Sequence, residues 1–121
     1  GLSMPVGFKN RTDGDLQVAV DAMVSASHPH WFPSLTREGA PAVLATAGNP
    51  DCHLVLRGGS RTGPNYSAAA VAEAVALLAR AGARPVVMVD CSHGNSGKQA
   101  ERQVEVAADV AAQVAGGSPA V

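Results

Sequence analysis

A chain of 121 residues, 46% of them hydrophobic and with a formal net charge of −1, is long enough for one packed domain and too short for two ordinary ones. Aromatic residues make up only 3%, so the core has to be built from small aliphatic side chains, and neither the basic patch nor the base-stacking aromatics of a nucleic-acid binder is present. No apolar stretch reaches the ~18 residues of a membrane span, and Cys52 and Cys91 stand in no metal-site or C-x-x-C spacing, which argues against a disulfide scaffold and for a reduced, cytoplasmic setting.

The first element is "SMPVGFKNRTDG", an apolar extended run that ends in Lys9 and a turn. Leu16, Ala19, Val20, Met23 and Val24 then recur at helical spacing, with Thr12 or Asp13 placed to cap the helix. Between Ser27 and Asp51 this grammar breaks. "HWFPSLTREGAPAVLATAGNP" holds two short extended runs around a turn-like "REG" and predicts an inserted β-hairpin at about residues 28–50, with Pro33 marking an exposed or edge strand. The next apolar run, "CHLVLRGGSRTGPN", ends in Arg57 and two glycines. Ser67 is placed to cap the helix that follows, carried by Val71, Val75 and Leu78 and stopped at Gly82. The last run, "RPVVMVDCSHGNSG", ends in His93 and a turn. Ser96 with Gln99 fits a capping box before a helix whose apolar residues are Val104, Ala107, Ala108, Ala111 and Val114.

Near-continuous apolar strands alternating with amphipathic helices predict an α/β fold, a parallel sheet covered by helices. The chain opens on "GLSMPVGFK", already inside an extended run, and closes on "GGSPAV". Both ends read as cuts through a larger domain.

In parallel α/β folds the carboxyl ends of the strands and the loops after them form the ligand site. Lys9, Arg57 and His93 all stand at such ends. An arginine fork and a lysine ammonium in matched positions suit an anionic, phosphate-bearing ligand, and Gly58 and Gly59 would let it approach the backbone closely. A neutral imidazole at a strand end suits a divalent metal, but one histidine does not make a metal site, and from spacing alone His93 reads as a hydrogen-bonded structural histidine. His28, His30 and His53 show no ligand spacing, and Cys52 reads as a small core residue. Asp51 and Asp90 are candidate carboxylates. Asp90, close to His93 in sequence, is placed to orient or neutralise a neighbour, or equally to cap turn amides. "RGGSRTG" lacks the lysine and spacing of a nucleotide-binding loop.

In order along the chain, "MPVGFKNRTDG", "DCHLVLRGG", "PNYS" and "DCSHGNSGKQ" resemble the type I 3-deoxy-D-arabino-heptulosonate 7-phosphate (DAHP) synthases. The resemblance implies a segment, residues 1–121, of a (β/α)8 TIM barrel covering about its fifth to seventh strands, with the hairpin inserted. It implies an aldol-type transferase that condenses phosphoenolpyruvate with erythrose 4-phosphate, the first step of the shikimate pathway to aromatic amino acids. A divalent metal (Mn2+, Fe2+ or Co2+) is implied as cofactor, and a homo-oligomer for the full-length protein. Carried over by position, Lys9 is a catalytic, phosphoenolpyruvate-binding residue, Arg57 binds the same substrate and His93 is a metal ligand. Leu2, Ser3, Phe32, Ser34 and Leu44 fall where feedback-regulated members bind an aromatic amino acid. The remaining ligands and the general base are expected outside the chain, so the isolated segment is expected to be inactive. The competing expectation is a non-catalytic interaction or regulatory module derived from that barrel. Cys91 stands where many members have an aromatic residue, and the "GGSRTGPNYS" loop is longer than the family pattern.

Overall fold

Runs rich in valine and leucine become strands here because one face of each packs against helices. The computed structural model describes residues 4–121, in which the elements are β1 (Val6–Lys9), α1 (Gln17–Ser27), β2 (His30–Leu35), β3 (Pro41–Thr46), β4 (Cys52–Leu56), α2 (Ala68–Arg80), β5 (Val87–Val89) and α3 (Arg102–Ala115). β1, β4 and β5 form a parallel sheet with β4 in the middle, Lys9 opposite Val55 and Leu56 opposite Val89. The fold is therefore mixed α/β with a parallel sheet, as the alternation of runs requires.

Side chains alternate across a strand, and burial follows that alternation in β1 and β5, while the central β4 buries Val55 as well. Cys52, Leu54 and Leu56 of β4 and Val87 of β5 pack against Ala19, Val20 and Met23 of α1 and Val71, Ala74 and Leu78 of α2. Leu54, Leu56, Val20 and Leu78 have no solvent exposure. Burying one such leucine is worth roughly 1.5–3 kcal/mol. The alternate residues Gly7, Lys9, His53, Val55 and Met88 lie on the opposite face, away from the helices. No helix among the described residues is long and apolar enough to cross a membrane.

The predicted hairpin region folds as a separate two-stranded antiparallel sheet, β2 against β3, in register from His30 with Thr46 to Leu35 with Pro41. Thr36 and Ala40 close its turn, with Thr36 N donating to Ala40 O at 2.9 Å. Pro33 sits in β2 opposite Val43 and is exposed, in keeping with an edge position. A groove of about 750 Å³ separates the hairpin from the sheet, lined on one side by Val6 and Phe8 and on the other by Trp31 and Phe32.

Helix ends differ in part from expectation. Ser67 caps α2 as predicted, its Oγ accepting from Ala70 N at 3.3 Å, and Gly82 follows the helix with φ +69°. Neither Thr12 nor Asp13 caps α1, which starts later, after Leu16. Asp13 Oδ1 instead accepts from Asp15 N, and its carboxylate pairs with Arg11 and Arg61. Ser96 and Gln99 form no capping box. α3 begins only at Arg102, and the buried Ser96 hydroxyl has no partner among the described residues. The apolar stripe expected to bury α3 also faces outward, with Val104 73% exposed. The helix turns Gln103, Val106, Val110 and Gln113 inward instead, with Val106 buried and Gln113 Nε2 donating to Tyr66 O at 2.8 Å.

These burial assignments predict unequal costs for two alanine substitutions. Leu54→Ala should destabilise the protein by about 2–5 kcal/mol, whereas Val104→Ala should stay within about 0.5 kcal/mol of the parent. Urea unfolding followed by circular dichroism checks both, and similar losses would reject the assigned rotation of α3.

Candidate active site

Parity along the strands decides which residues can meet at the carboxyl rim. Lys9, Val55 and Met88 are in register on the face turned away from the helices, so Arg57 and Asp90, two residues beyond Val55 and Met88, leave the sheet on that same side. β4 lies between β1 and β5, so Lys9 and Asp90 start two strand spacings apart, roughly 9–10 Å. The lysine spans that gap over the end of β4, and its Nζ donates to Asp90 Oδ2 at 2.6 Å.

His93 meets the same carboxylate oxygen, with Nδ1 2.9 Å from Asp90 Oδ2. Its backbone lies in the left-handed region at φ 51°, which non-glycine residues seldom adopt and histidine adopts more readily than most. Asp90 Oδ1 accepts from Ser92 N at 2.9 Å. Burial pushes the Asp90 carboxyl upward. The Lys9 hydrogen bond, the Ser92 amide, the charge of Lys9 and that of His93 when protonated outweigh that effect and hold it below the ordinary carboxylate value.

Arg57 is half-buried, and among the described residues its guanidinium has no hydrogen bond or ion pair. Its backbone, by contrast, is fixed on both sides. Arg57 N donates to Asn10 Oδ1 at 2.8 Å, and Arg57 O accepts from Gly94 N at 2.9 Å. An arginine with a fixed root and an uncommitted fork is suited to a carboxylate or phosphate.

Three asparagines, one from each loop after a strand, hold this rim together. Asn10 Nδ2 donates to Gly58 O at 3.0 Å and to Arg11 O at 2.8 Å. Asn65 Oδ1 accepts from Gly58 N at 2.7 Å, and Asn65 Nδ2 donates to Asn10 Oδ1 at 3.3 Å. Asn65 N donates to Asn95 Oδ1 at 2.8 Å, while Asn95 Nδ2 donates to Leu56 O at 3.1 Å and Asp90 O at 2.9 Å. Loops at strand ends leave backbone groups without ladder partners, and these amides satisfy them. Sequence reading missed the network. Its one trace is that an asparagine recurs in every loop of the rim, in "KN", "PN" and "GN".

The two glycines after Arg57 have a different use from the one expected. Gly58 has φ +69°, and a Cβ there would lie 2.5 Å from Gly94 C; one on Gly59 would lie 2.3 Å from Gly14 Cα. On that side the space is filled by neighbouring loops, so the glycines serve loop-to-loop contact.

The other candidates separate clearly. Asp51 precedes β4 and lies at the opposite end of the sheet, where its carbonyl accepts from Val6 N. Cys91 falls in the turn after β5, so no strand places it on one face with His93. Cys52 is buried, and that burial, with Asp51 nearby, pushes its thiol up. His28 Nδ1 and His30 Nε2 each lie 2.7 Å from carbonyls of the last turns of α1, at Val24 and Ser25, which gives them a helix-end role. Leu2 and Ser3 lie outside the described residues. Phe32 lines the groove, and its partner Leu44 and the neighbour Ser34 share its face of the hairpin but do not line the groove.

His93 fits a metal as one ligand, because a ring whose Nδ1 faces a carboxylate presents Nε2 as a donor. Among the described residues no three His, Cys, Asp or Glu side chains cluster into a metal site.

Comparison with known proteins agrees from end to end of the chain. The model of the DAHP synthetase I family matches residues 1–121. The Phe-sensitive phospho-2-dehydro-3-deoxyheptonate aldolase of Escherichia coli K12 is 53% identical over the whole chain, and the Tyr-sensitive enzyme of the same organism is 52% identical. The chain spans about a third of their length, 34% and 33% respectively. The structure of the corresponding aldolase from Francisella tularensis SCHU S4 superposes with a TM-score of 0.86 at 50% identity, covering 94% of this chain and 33% of that one.

The asparagine network makes a graded prediction. Asn10 is 2% exposed, and truncating it strands the Arg57 amide and the Gly58 carbonyl. Asn10→Ala should therefore cost about 2–4 kcal/mol, and Asn65→Ala, at a half-buried position, clearly less. Denaturant midpoints measure the order, and equal or negligible losses would show that the rim is held by something else.

Proposed function

We propose a function from one premise: this chain belongs to the DAHP synthetase I family, whose model it matches over residues 1–121. The protein that carries this segment is a DAHP synthase, which joins phosphoenolpyruvate to erythrose 4-phosphate. The observation that carries the reading is the arrival of Lys9, Arg57 and the Asp90–His93 pair on one face and one rim of a parallel sheet.

In this reading β1, β4 and β5 are about the fifth to seventh staves of a (β/α)8 barrel. The face turned away from the helices looks into the barrel, and the rim is the carboxyl end where barrel enzymes carry their sites. Arg57 binds the phosphoenolpyruvate phosphate or carboxylate through two parallel N–H bonds, and Lys9 adds a compact charge beside it. Their work is positioning and charge neutralisation, so that C3 of phosphoenolpyruvate is held against the aldehyde carbon of the second substrate. His93 Nε2 supplies one ligand to a divalent metal such as Mn2+, Fe2+ or Co2+, which when bound would polarise that aldehyde. The other ligands, and the rest of the two phosphate sites, belong to barrel strands outside this third of the relatives' length. Erythrose 4-phosphate and phosphoenolpyruvate are accordingly substrates of the whole protein.

The hairpin supports a regulatory extension of this reading. Phe32 and Trp31 stand over an apolar groove against Val6 and Phe8, a lining suited to an aromatic amino acid. Two relatives are named for sensitivity to phenylalanine and to tyrosine.

Kinetics of the full-length protein test the reading. Lys9→Met should lower kcat/KM for phosphoenolpyruvate by about 10²–10³-fold. Arg57→Ala should raise KM for the same substrate by about 10- to 150-fold, the equivalent of a lost charged hydrogen bond. Residues 1–121 alone should make no DAHP. Unchanged phosphoenolpyruvate kinetics in both variants would reject the substrate-binding role.

A further inference from the structure

Among the groups at the rim, Asp90 is the one whose hydrogen-bonding atoms are all engaged. Its amide donates to Leu56 O and its carbonyl accepts from Asn95 Nδ2, each at 2.9 Å. Oδ1 takes the Ser92 amide, and Oδ2 takes both Lys9 Nζ at 2.6 Å and His93 Nδ1 at 2.9 Å. Its side chain is only 14% exposed. A carboxylate anchored at every atom cannot swing to follow a partner, so the partners must conform to it.

From this arrangement we infer that Asp90 is a positioning residue. It fixes the imidazole of His93 with the proton on Nδ1 and the lone pair on Nε2, and through the same oxygen ties that histidine to Lys9. The inference rests on the proposed reading for what Nε2 and Lys9 bind, but the tautomer itself follows from the geometry. An ionised carboxylate only accepts, so the ring nitrogen facing it has to carry the hydrogen. In the neutral ring the lone pair is then left on Nε2, the nitrogen a cation would take. The left-handed backbone at His93 belongs to the same device, since it brings the ring of residue 93 back over residue 90.

Sharing one oxygen has a further effect. An anion that draws Lys9 toward itself leaves Oδ2 to His93 alone and strengthens that bond. A cation on Nε2 polarises the imidazole and strengthens it from the other side. Occupation of the lysine and of the histidine therefore favour each other, and the preference is reciprocal.

The test uses the full-length protein, labelled with 15N at histidine and free of metal. Long-range 1H–15N spectra should show His93 protonated at Nδ1 in the parent, and that tautomer should be lost in Asp90→Ala. Retention of the same tautomer and shifts in Asp90→Ala would overturn the proposal. If Asp90→Ala does not fold, the near-isosteric Asp90→Asn takes its place, read by Mn2+ affinity from electron paramagnetic resonance. A loss of about 10- to 100-fold is expected, and an unchanged affinity rejects the role. Phosphoenolpyruvate should tighten Mn2+ binding in the parent and fail to do so in Asp90→Asn. Equal tightening in both would remove the coupling through Asp90. Because the tautomer is read without substrate or turnover, a protein that makes no DAHP but shows the Asp90-dependent tautomer would end the functional reading and leave this one standing.

Discussion

Three parallel strands end at one rim, and the backbone groups beyond their last ladder bonds have to find partners away from water. That constraint governs the site. Asn10, Asn65 and Asn95 meet it by passing hydrogen bonds from loop to loop, and a primary amide is well matched to the task because it both donates and accepts. The charged residues are mounted on this frame. Lys9 precedes Asn10, the Arg57 amide is bonded to Asn10, and His93 lies two residues before Asn95. Fixing the roots of long side chains lowers the entropy lost when their tips meet a ligand, so in the proposed reading the asparagines contribute to binding without touching the bound molecule.

Much of this architecture is legible in the residues. Valine and leucine runs with charged ends locate β1, β4 and β5, because a strand buried against helices must be apolar until it reaches the rim. α1 and α2 declare their buried faces through Ala19, Val20 and Met23 and through Val71 and Leu78, which meet the core. α3 does not, because which face of a peripheral helix turns inward depends on a neighbour. Here the inward face is the one that buries Val106 and lets Gln113 reach Tyr66 O across 47 positions of sequence. The rim asparagines are hidden for the same reason. Asn10 meets Arg57 and Asn65 across 47 and 55 positions, and no local pattern distinguishes a buried amide from a solvated one. The candidate site divides in the same way: strand-end position reveals Lys9, Arg57 and His93, whereas the shared grip of Asp90 on two of them exists only in three dimensions.

The long loop after β4 is knit to the loop after β1. Gly59 and Gly63 exchange both backbone bonds, Ser60 N donates to Thr12 O, and Arg61 joins Arg11 on Asp13. These exposed ion pairs add little stability individually. Their effect is local: Asp13 balances the two arginines, while Arg57 a few residues away keeps its charge uncommitted. The loop is thereby tied to its neighbour, and the backbone of Arg57 keeps its clamp between Asn10 and Gly94.

The hairpin forms its own sheet, sharing no strand pairing with β1, β4 or β5. Evolution can therefore treat it as an interchangeable fitting. Substitutions that reshape Trp31, Phe32 or their neighbours touch none of the pairings that set Lys9 against Val55. Such a division lets the hairpin change the surface it offers while the ends of the parallel strands stay where they are.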